Sequence, residues 1–171
     1  RMGTAKDIVE GKPVRCPLHP ALVHFPLAAF TLGVALDIAN WIAPHAELHF
    51  GRASFGALAA GVVTALLAAI TGFVDYSDIR ADHPAKKTAT LHMGLNLVSV
   101  ALFAVSLGLR YGHTDLAPTP AWPFALALAG FVLLGYSGYL GGILVYDDGI
   151  GVGRHLRRTP TPDHTIIAAK Q

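Results

Sequence analysis

The stretch AWPFALALAGFVLLGYSGYLGGILVY, residues 121–146, runs from end to end without a formal charge. A helix needs about 20 predominantly apolar residues to cross the hydrocarbon core of a bilayer, so this stretch is long enough to span one. Three similar stretches precede it, because residues 53–74 and 91–109 hold no Asp, Glu, Lys or Arg and residues 21–43 hold only Asp37. The sequence therefore predicts an all-α integral membrane protein. We expect an up-down four-helix bundle with spans near 21–43, 53–75, 90–110 and 121–146.

The composition and the placement of basic residues agree with a membrane protein. Hydrophobic residues make up 53% of the chain and charged residues 14%, whereas soluble domains carry about 25% charged residues. Of the 13 Lys and Arg residues, all but Arg52 and Arg110 lie in the amino-terminal arm, the central loop or the carboxy-terminal tail. The positive-inside rule then places both termini in the cytoplasm. We expect a multi-pass protein of a bacterial inner membrane, with a polar arm (1–17), a transmembrane domain (18–153) and a basic, flexible tail (154–171).

Histidines stand at the start of two of the predicted spans. The segment LHPALVHFP, residues 18–26, opens span one, and TLHMG, residues 90–94, opens span three. An ionisable side chain at the edge of a hydrocarbon span is costly to keep there, so it needs a partner or a function. Spans one and three run in the same direction, and the sequence predicts that His24 and His92 lie at nearly the same depth. His19 is expected to precede the helix, whose start and direction the prolines set.

Two histidines on facing helices of a bundle can supply both axial ligands of a b-type haem. We expect His24 and His92 to be these ligands, near the cytoplasmic face. Asn96 lies one turn after His92 and could hold its imidazole in one tautomer or contact the cofactor edge. The predicted function is a small redox subunit that exchanges electrons with quinol or with a partner protein. Motifs for nucleophilic catalysis or nucleotide binding are not found in the sequence, and no nucleic-acid partner is expected.

The same polar residues allow other functions. His19, His24, His92, Asp75 and Cys16 are possible ligands of a bare metal ion by residue type, and a metal-handling or small-solute membrane protein is the weaker alternative. In the simplest alternative, the histidines only hydrogen-bond neighbouring groups and pin the helix ends together.

A haem-free accessory subunit of a larger membrane complex is the main alternative function. Small residues on spans two and four, including Gly61, Gly138 and Gly142, would let helices approach closely. Asp37 is expected to be a buried hydrogen-bonding group near the outer face. The two helix pairs could reflect a duplication, but the sequence contains no convincing internal repeat.

An ordered series of motifs resembles one known family. The series comprises LHP (18–20), VHFP (23–26), GFVD (72–75), His92 with Asn96, GGILVY (141–146), Gly149 and Val152. Over residues 16–153 it resembles the bacterial four-helix membrane proteins called domain of unknown function 2231. The resemblance implies redox surroundings, because relatives occur fused to Rieske-type iron–sulfur domains. It also implies distant similarity to four-helix b-type cytochromes.

Overall fold

A computed structural model describes residues 5–11, 13, 17–44, 49–114 and 118–151. The regular secondary structure in these ranges is helical, with no strand, which confirms the all-α prediction. The helices are α1 (Ala5–Val9), α2 (Leu18–Leu22), α3 (His24–Ile42), α4 (Phe50–Ser77), α5 (Ala85–Arg110) and α6 (Ala121–Tyr146). Four spans are long and apolar enough to cross a membrane: Leu18–Ile42, formed by α2 and α3 together, Phe50–Ser77, Ala85–Arg110 and Ala121–Tyr146. Cys16, at the end of the amino-terminal arm, and the tail from residue 152 lie outside the described residues.

Span one begins earlier than the sequence suggested, and it is interrupted at Val23. Helix α2 starts at Leu18, so Pro20 lies inside its first turn rather than at its start. Proline is tolerated there because the first turn of a helix has no intrahelical acceptors for its N–H groups. Val23 separates α2 from α3, and Pro26 follows in the first turn of α3. Because Pro26 has no N–H, it cannot bond the carbonyl four residues earlier, which explains why the helix is interrupted here.

The four spans form two similar helical hairpins. Helix α3 packs mainly on α4, and α5 packs mainly on α6. The buried positions of α4 are Ser54, Leu58, Gly61, Ala68 and Thr71. Adding 69 to each number gives five buried positions of α6, namely Pro123, Ala127, Gly130, Ser137 and Leu140. The two hairpins therefore bury equivalent positions, which reveals an internal repeat even though Gly61 and Gly130 are the one identical pair among these five.

The first helices of the two hairpins, α3 and α5, also bury equivalent positions, and here the positions are 73 residues apart. Buried Pro26, Phe30, Gly33 and Asp37 of α3 correspond to buried Ser99, Phe103, Ser106 and Arg110 of α5. Both hairpins start at the same end of the bundle, so this is a parallel repeat, whose pseudo-two-fold axis runs along the membrane normal.

Two phenylalanines meet at the centre of the bundle. Phe30 and Phe103 are fully buried and stack with ring centroids 3.8 Å apart and planes 4° from parallel. Each ring lies over a glycine of its own hairpin, because an added Cβ would come within 2.6 Å of Phe30 at Gly61 and 3.2 Å of Phe103 at Gly130. The expected role of Gly61 in close packing thus has a specific contact. Outward-facing positions are largely apolar, as a lipid-facing surface requires.

Candidate functional site

The structure brings His19, rather than His24, close to His92. The His19 and His92 rings are close enough to interact electrostatically. The two residues occupy equivalent positions of the two hairpins, 73 residues apart, and both are half-buried. His19 belongs to the short α2 and His92 to the second turn of α5. Together they form a histidine layer at the end of the bundle where both hairpins begin.

The imidazole of His19 is held by helix α4. Its Nδ1 lies 3.0 Å from the carbonyl oxygen of Ala68 and 3.4 Å from Oγ1 of Thr71. A carbonyl oxygen can only accept, so Nδ1 carries the hydrogen and Nε2 is the unprotonated nitrogen of the neutral ring. Within the described part of the chain, no protein group hydrogen-bonds this Nε2.

The imidazole of His92 is held in the same way by helix α6. Its Nδ1 lies 2.8 Å from the carbonyl oxygen of Ser137 and 3.0 Å from the Ser137 hydroxyl. The Asn96 side-chain amide lies 3.1 Å from Nε2 and donates to it, and it also donates to the His92 carbonyl oxygen at 3.0 Å. The expected contact between Asn96 and the ring is therefore present, and it is consistent with a neutral ring protonated at Nδ1.

The two histidine environments are equivalent under the repeat. Ala68 and Ser137, whose carbonyls accept the Nδ1 hydrogens, are 69 positions apart. The same separation relates Gly72 and Gly141, the glycines on which the two rings lie. A Cβ added at Gly72 would fall 2.7 Å from Cε1 of His19, and one at Gly141 would fall 3.2 Å from Cε1 of His92. Each hairpin thus provides a glycine for space and a carbonyl for orientation.

His24, which the sequence predicted to lie level with His92, is not part of the histidine layer. His24 is exposed, and its Nδ1 contacts the carbonyl oxygen of Ala21 in its own turn at 3.3 Å. His24 lies five positions after His19, which places the two side chains about 140° apart around a helix, so both cannot face the bundle interior. Asp75 is half-buried near the end of α4. Among the described residues, no group of three or more His, Cys, Asp or Glu side chains could hold a metal ion.

Ser99 is a buried hydroxyl without a partner in the region between the histidine layer and the phenylalanine stack. Its Oγ is fully buried, and no hydrogen-bonding group of the described residues satisfies it. Leaving a buried hydroxyl unpaired costs about 1–3 kcal/mol. Such a group in a native structure requires an explanation, and a ligand or water in the bundle interior is one.

At the opposite end of the bundle lies a buried ion pair. Arg110 donates from both terminal nitrogens to Asp37, with two N–O distances of 2.7 Å, and both residues are almost inaccessible. Ser54 and Ser106 accept further hydrogens of the guanidinium at 3.1 and 3.2 Å, and Thr119 donates to the Asp37 carboxylate at 3.1 Å. The expectation that Asp37 is a buried hydrogen-bonding group agrees with this geometry. Its partner, Arg110, is the last residue of α5, and the sequence analysis did not predict the pair.

On span four, the glycines that contact other helices are not the ones that the sequence suggested. A Cβ added at Gly138 or Gly142 would meet no atom within 4 Å, so neither glycine supports a helix contact within the described chain. Gly130 and Gly141 occupy the contact positions instead. A signal in the sequence could have identified them, since Gly61 and Gly72 stand eleven residues apart, as do Gly130 and Gly141.

Comparisons with known proteins give one match. The family model described as predicted membrane protein (DUF2231) matches residues 15–154, which contain every span and the histidine layer. No curated protein and no solved structure matches the chain.

Proposed function

Since the chain belongs to the DUF2231 family of predicted membrane proteins, we propose that it is a small redox subunit that binds one b-type haem between His19 and His92. The haem iron would be held by Nε2 of each histidine. This proposal keeps His92 and Asn96 from the sequence prediction and replaces His24 with His19. A bacterial inner membrane location, with quinol or a redox protein as the electron partner, is part of the proposal.

The observation that carries the proposal is the hydrogen bond that Nδ1 of each imidazole makes with a main-chain carbonyl. Each ring donates its Nδ1 hydrogen to a main-chain carbonyl of the neighbouring helix. Histidines that ligate metals nearly always donate from the second ring nitrogen in this way, because it fixes the tautomer and orients the ring. Two half-buried rings whose Nδ1 atoms are held in the same way would suit the two-histidine ligand set of a b-type haem.

Three features of the interior fit such a group. Nε2 of His19 is available, and Nε2 of His92 becomes available if Asn96 turns its amide to another acceptor. Gly72 and Gly141 leave space for the rings where a larger residue would displace them. The unpaired Ser99 hydroxyl offers a hydrogen bond to a group between the hairpins.

A bound haem would supply reversible one-electron chemistry. The protein residues would orient the two ligands, fix their hydrogen-bonded Nδ1 atoms and exclude water. The stacked Phe30 and Phe103 rings close the interior on the side away from the histidines. Electron exchange would then take place from the end of the bundle at which both hairpins begin.

An absorption spectrum of the purified protein, oxidised and then reduced with dithionite, tests the proposal. We expect a Soret band with sharp reduced α and β bands. The His19→Ala and His92→Ala variants should lose the bis-histidine spectrum, whereas the matched control His24→Ala should retain it because His24 is exposed. Circular dichroism of each variant verifies that the helices remain folded.

Two outcomes would contradict the proposal. A wild-type protein reconstituted with haemin that shows no visible absorption would exclude haem binding. Loss of the spectrum in His24→Ala with retention in His19→Ala would restore the pairing expected from the sequence and reject the one proposed here. Metal analysis of the same sample checks the bare-metal alternative, for which the described residues offer two imidazoles but no third ligand.

One observation favours the accessory-subunit function as a second candidate. Gly135, Gly138 and Gly142 of α6 face open space, and exposed Tyr136 and Tyr139 flank them. Such a small-residue face lets another transmembrane helix approach closely. If this function is correct, Gly138→Leu should release the chain from a complex solubilised from native membranes, and Gly56→Leu, at an open position of α4, should not. Purification of the wild type as a stable monomer would oppose it.

A further inference from the structure

A groove on the face of α5 that points away from the bundle interior begins at the membrane surface and continues along the span. Its volume is about 950 Å³, and it is lined by the turn before α5 and by one face of its first four turns. Gly94 lies in this face, and a Cβ there would meet nothing within 4 Å. The groove is separate from the histidine layer, which faces the bundle interior.

The surface end of the groove is basic. Lys87 is exposed, and Lys86 is fixed by hydrogen bonds to the carbonyl oxygens of Tyr76 and Ile79 at 3.1 and 3.2 Å. Nδ1 of His83 accepts from the Ala85 N–H at 3.1 Å, which leaves Nε2 as a donor. Asp82, the acidic residue of the lining, is paired with Arg80. The end of the groove therefore offers an unsatisfied positive charge and hydrogen-bond donors.

The deeper part of the groove is apolar. Leu91, Gly94, Leu95 and Val98 line it, and Leu91 and Val98 are about half-exposed. These residues extend about 10 Å along the helix at 1.5 Å per residue. A ligand that fills the groove must be anionic at the surface and hydrocarbon below it.

We propose that this groove binds an anionic phospholipid, with the phosphate at Lys87 and His83 and one acyl chain along Leu91, Gly94 and Val98. A lysine near the membrane surface adds about 1 kcal/mol to the attraction of anionic lipid. A zwitterionic lipid of the same chain length fits the apolar part equally well, so the charge at Lys87 provides the selectivity.

Native mass spectrometry of the full chain in detergent tests this site, with phosphatidylglycerol and phosphatidylcholine of identical acyl chains as probes. We expect the wild type to bind phosphatidylglycerol about fivefold more tightly than phosphatidylcholine, because the attraction of one lysine corresponds to about a fivefold change in affinity. Lys87→Gln should remove this preference, while Arg52→Gln, at the other end of the bundle, should keep it. Gly94→Leu should weaken binding of both lipids by filling the groove, and Gly108→Leu, at an open position of the same helix, should not.

The proposal is overturned if the wild type binds the two lipids equally, or if phosphatidylglycerol binding is unchanged in both Lys87→Gln and Gly94→Leu. Lys87 and Gly94 have no packing role in the described structure, so folding of these variants is expected, and circular dichroism verifies it. The result is independent of haem binding, because neither residue contacts the histidine layer.

Discussion

At the residue scale, the most consequential contact is the ion pair of Asp37 and Arg110. The two residues occupy equivalent positions of the two hairpins, so the pair crosses the pseudo-two-fold axis and joins the halves. A carboxylate and a guanidinium buried in an apolar bundle stabilise each other only when both are present, because either one alone is an uncompensated charge. The pair therefore also favours association of the first hairpin with the second. Two copies of the same hairpin would instead bring two like charges together.

This role predicts the behaviour of charge variants. Asp37→Ala should lower the free energy of unfolding by about 3–5 kcal/mol, the usual cost of leaving one buried charge unpaired. The exchange Asp37→Arg with Arg110→Asp should recover a large part of that loss, because the repeat places each side chain in the other's position. Unfolding in mixed detergent, followed by circular dichroism, measures both. A double variant as unstable as Asp37→Ala would show that the surrounding hydroxyls, rather than the repeat, determine the pairing.

Of the two histidines in the histidine layer, the sequence singled out His92 but placed His19 before the helix, and the reason is geometric. His92 stands in an uninterrupted helix, where depth follows from counting residues. His19 and His24 lie on either side of Val23, so the choice between them depends on where the helix starts and how Pro26 turns it. In the structure, Gly72 and Ala68 of another helix contact the His19 ring and hold it in the bundle. Contacts between residues so far apart in the chain leave no periodic signal in the sequence.

At the element scale, close approach of helices explains why particular positions are glycine. The α3–α4 pair meets where the Phe30 ring lies over Gly61, and Leu58 lies over Gly33 in the same way. The spans themselves were predictable, because a long apolar run has few alternatives to a transmembrane helix. The repeat is harder to recognise, because identical pairs such as Phe30 with Phe103 are interspersed with pairs of different chemistry, such as Asp37 with Arg110 and Pro26 with Ser99.

Two substitutions in α4 test this packing. Gly61→Ala should destabilise the protein by about 1–3 kcal/mol, because the added methyl group would overlap the Phe30 ring, which the Phe103 stack holds in place. Gly56→Ala is the matched control. It has open space on the same helix and should be neutral or stabilising by up to about 1 kcal/mol, from helix propensity alone. Equal effects of the two substitutions in thermal unfolding would show that the α3–α4 contact adapts to the extra volume.

At the scale of the whole molecule, three layers lie along the pseudo-two-fold axis. The histidine pair lies at one end, the phenylalanine stack in the middle and the ion pair at the other end. Among the described residues along this axis, Nε2 of His19 and the Ser99 hydroxyl, between the histidine layer and the phenylalanine stack, lack a protein partner. The ion-pair layer is satisfied within itself. This asymmetry between the ends is why a ligand is proposed at the histidines and a structural role at Asp37 and Arg110.

The burial of Arg110 also strengthens the predicted orientation in the membrane. Its charge is paired with Asp37 and does not contribute to the outer surface, whereas Arg80, Lys86 and Lys87 cluster in the turn between α4 and α5 and in the first turn of α5. The excess of basic residues on the central-loop side is therefore larger than a count of loop residues suggested, and the positive-inside rule predicts that this side faces the cytoplasm.

Labelling of single cysteines in bacterial spheroplasts tests this orientation. In a Cys16→Ser background, a membrane-impermeant maleimide should label His113→Cys in intact spheroplasts and Ala81→Cys only after permeabilisation, since both positions are exposed but lie at opposite ends of the bundle. The Cys16→Ser protein without an added cysteine is the blank. Labelling of Ala81→Cys in intact spheroplasts, with His113→Cys protected, would invert the topology. The histidine layer, and with it the proposed site of electron exchange, would then face the outside of the cell.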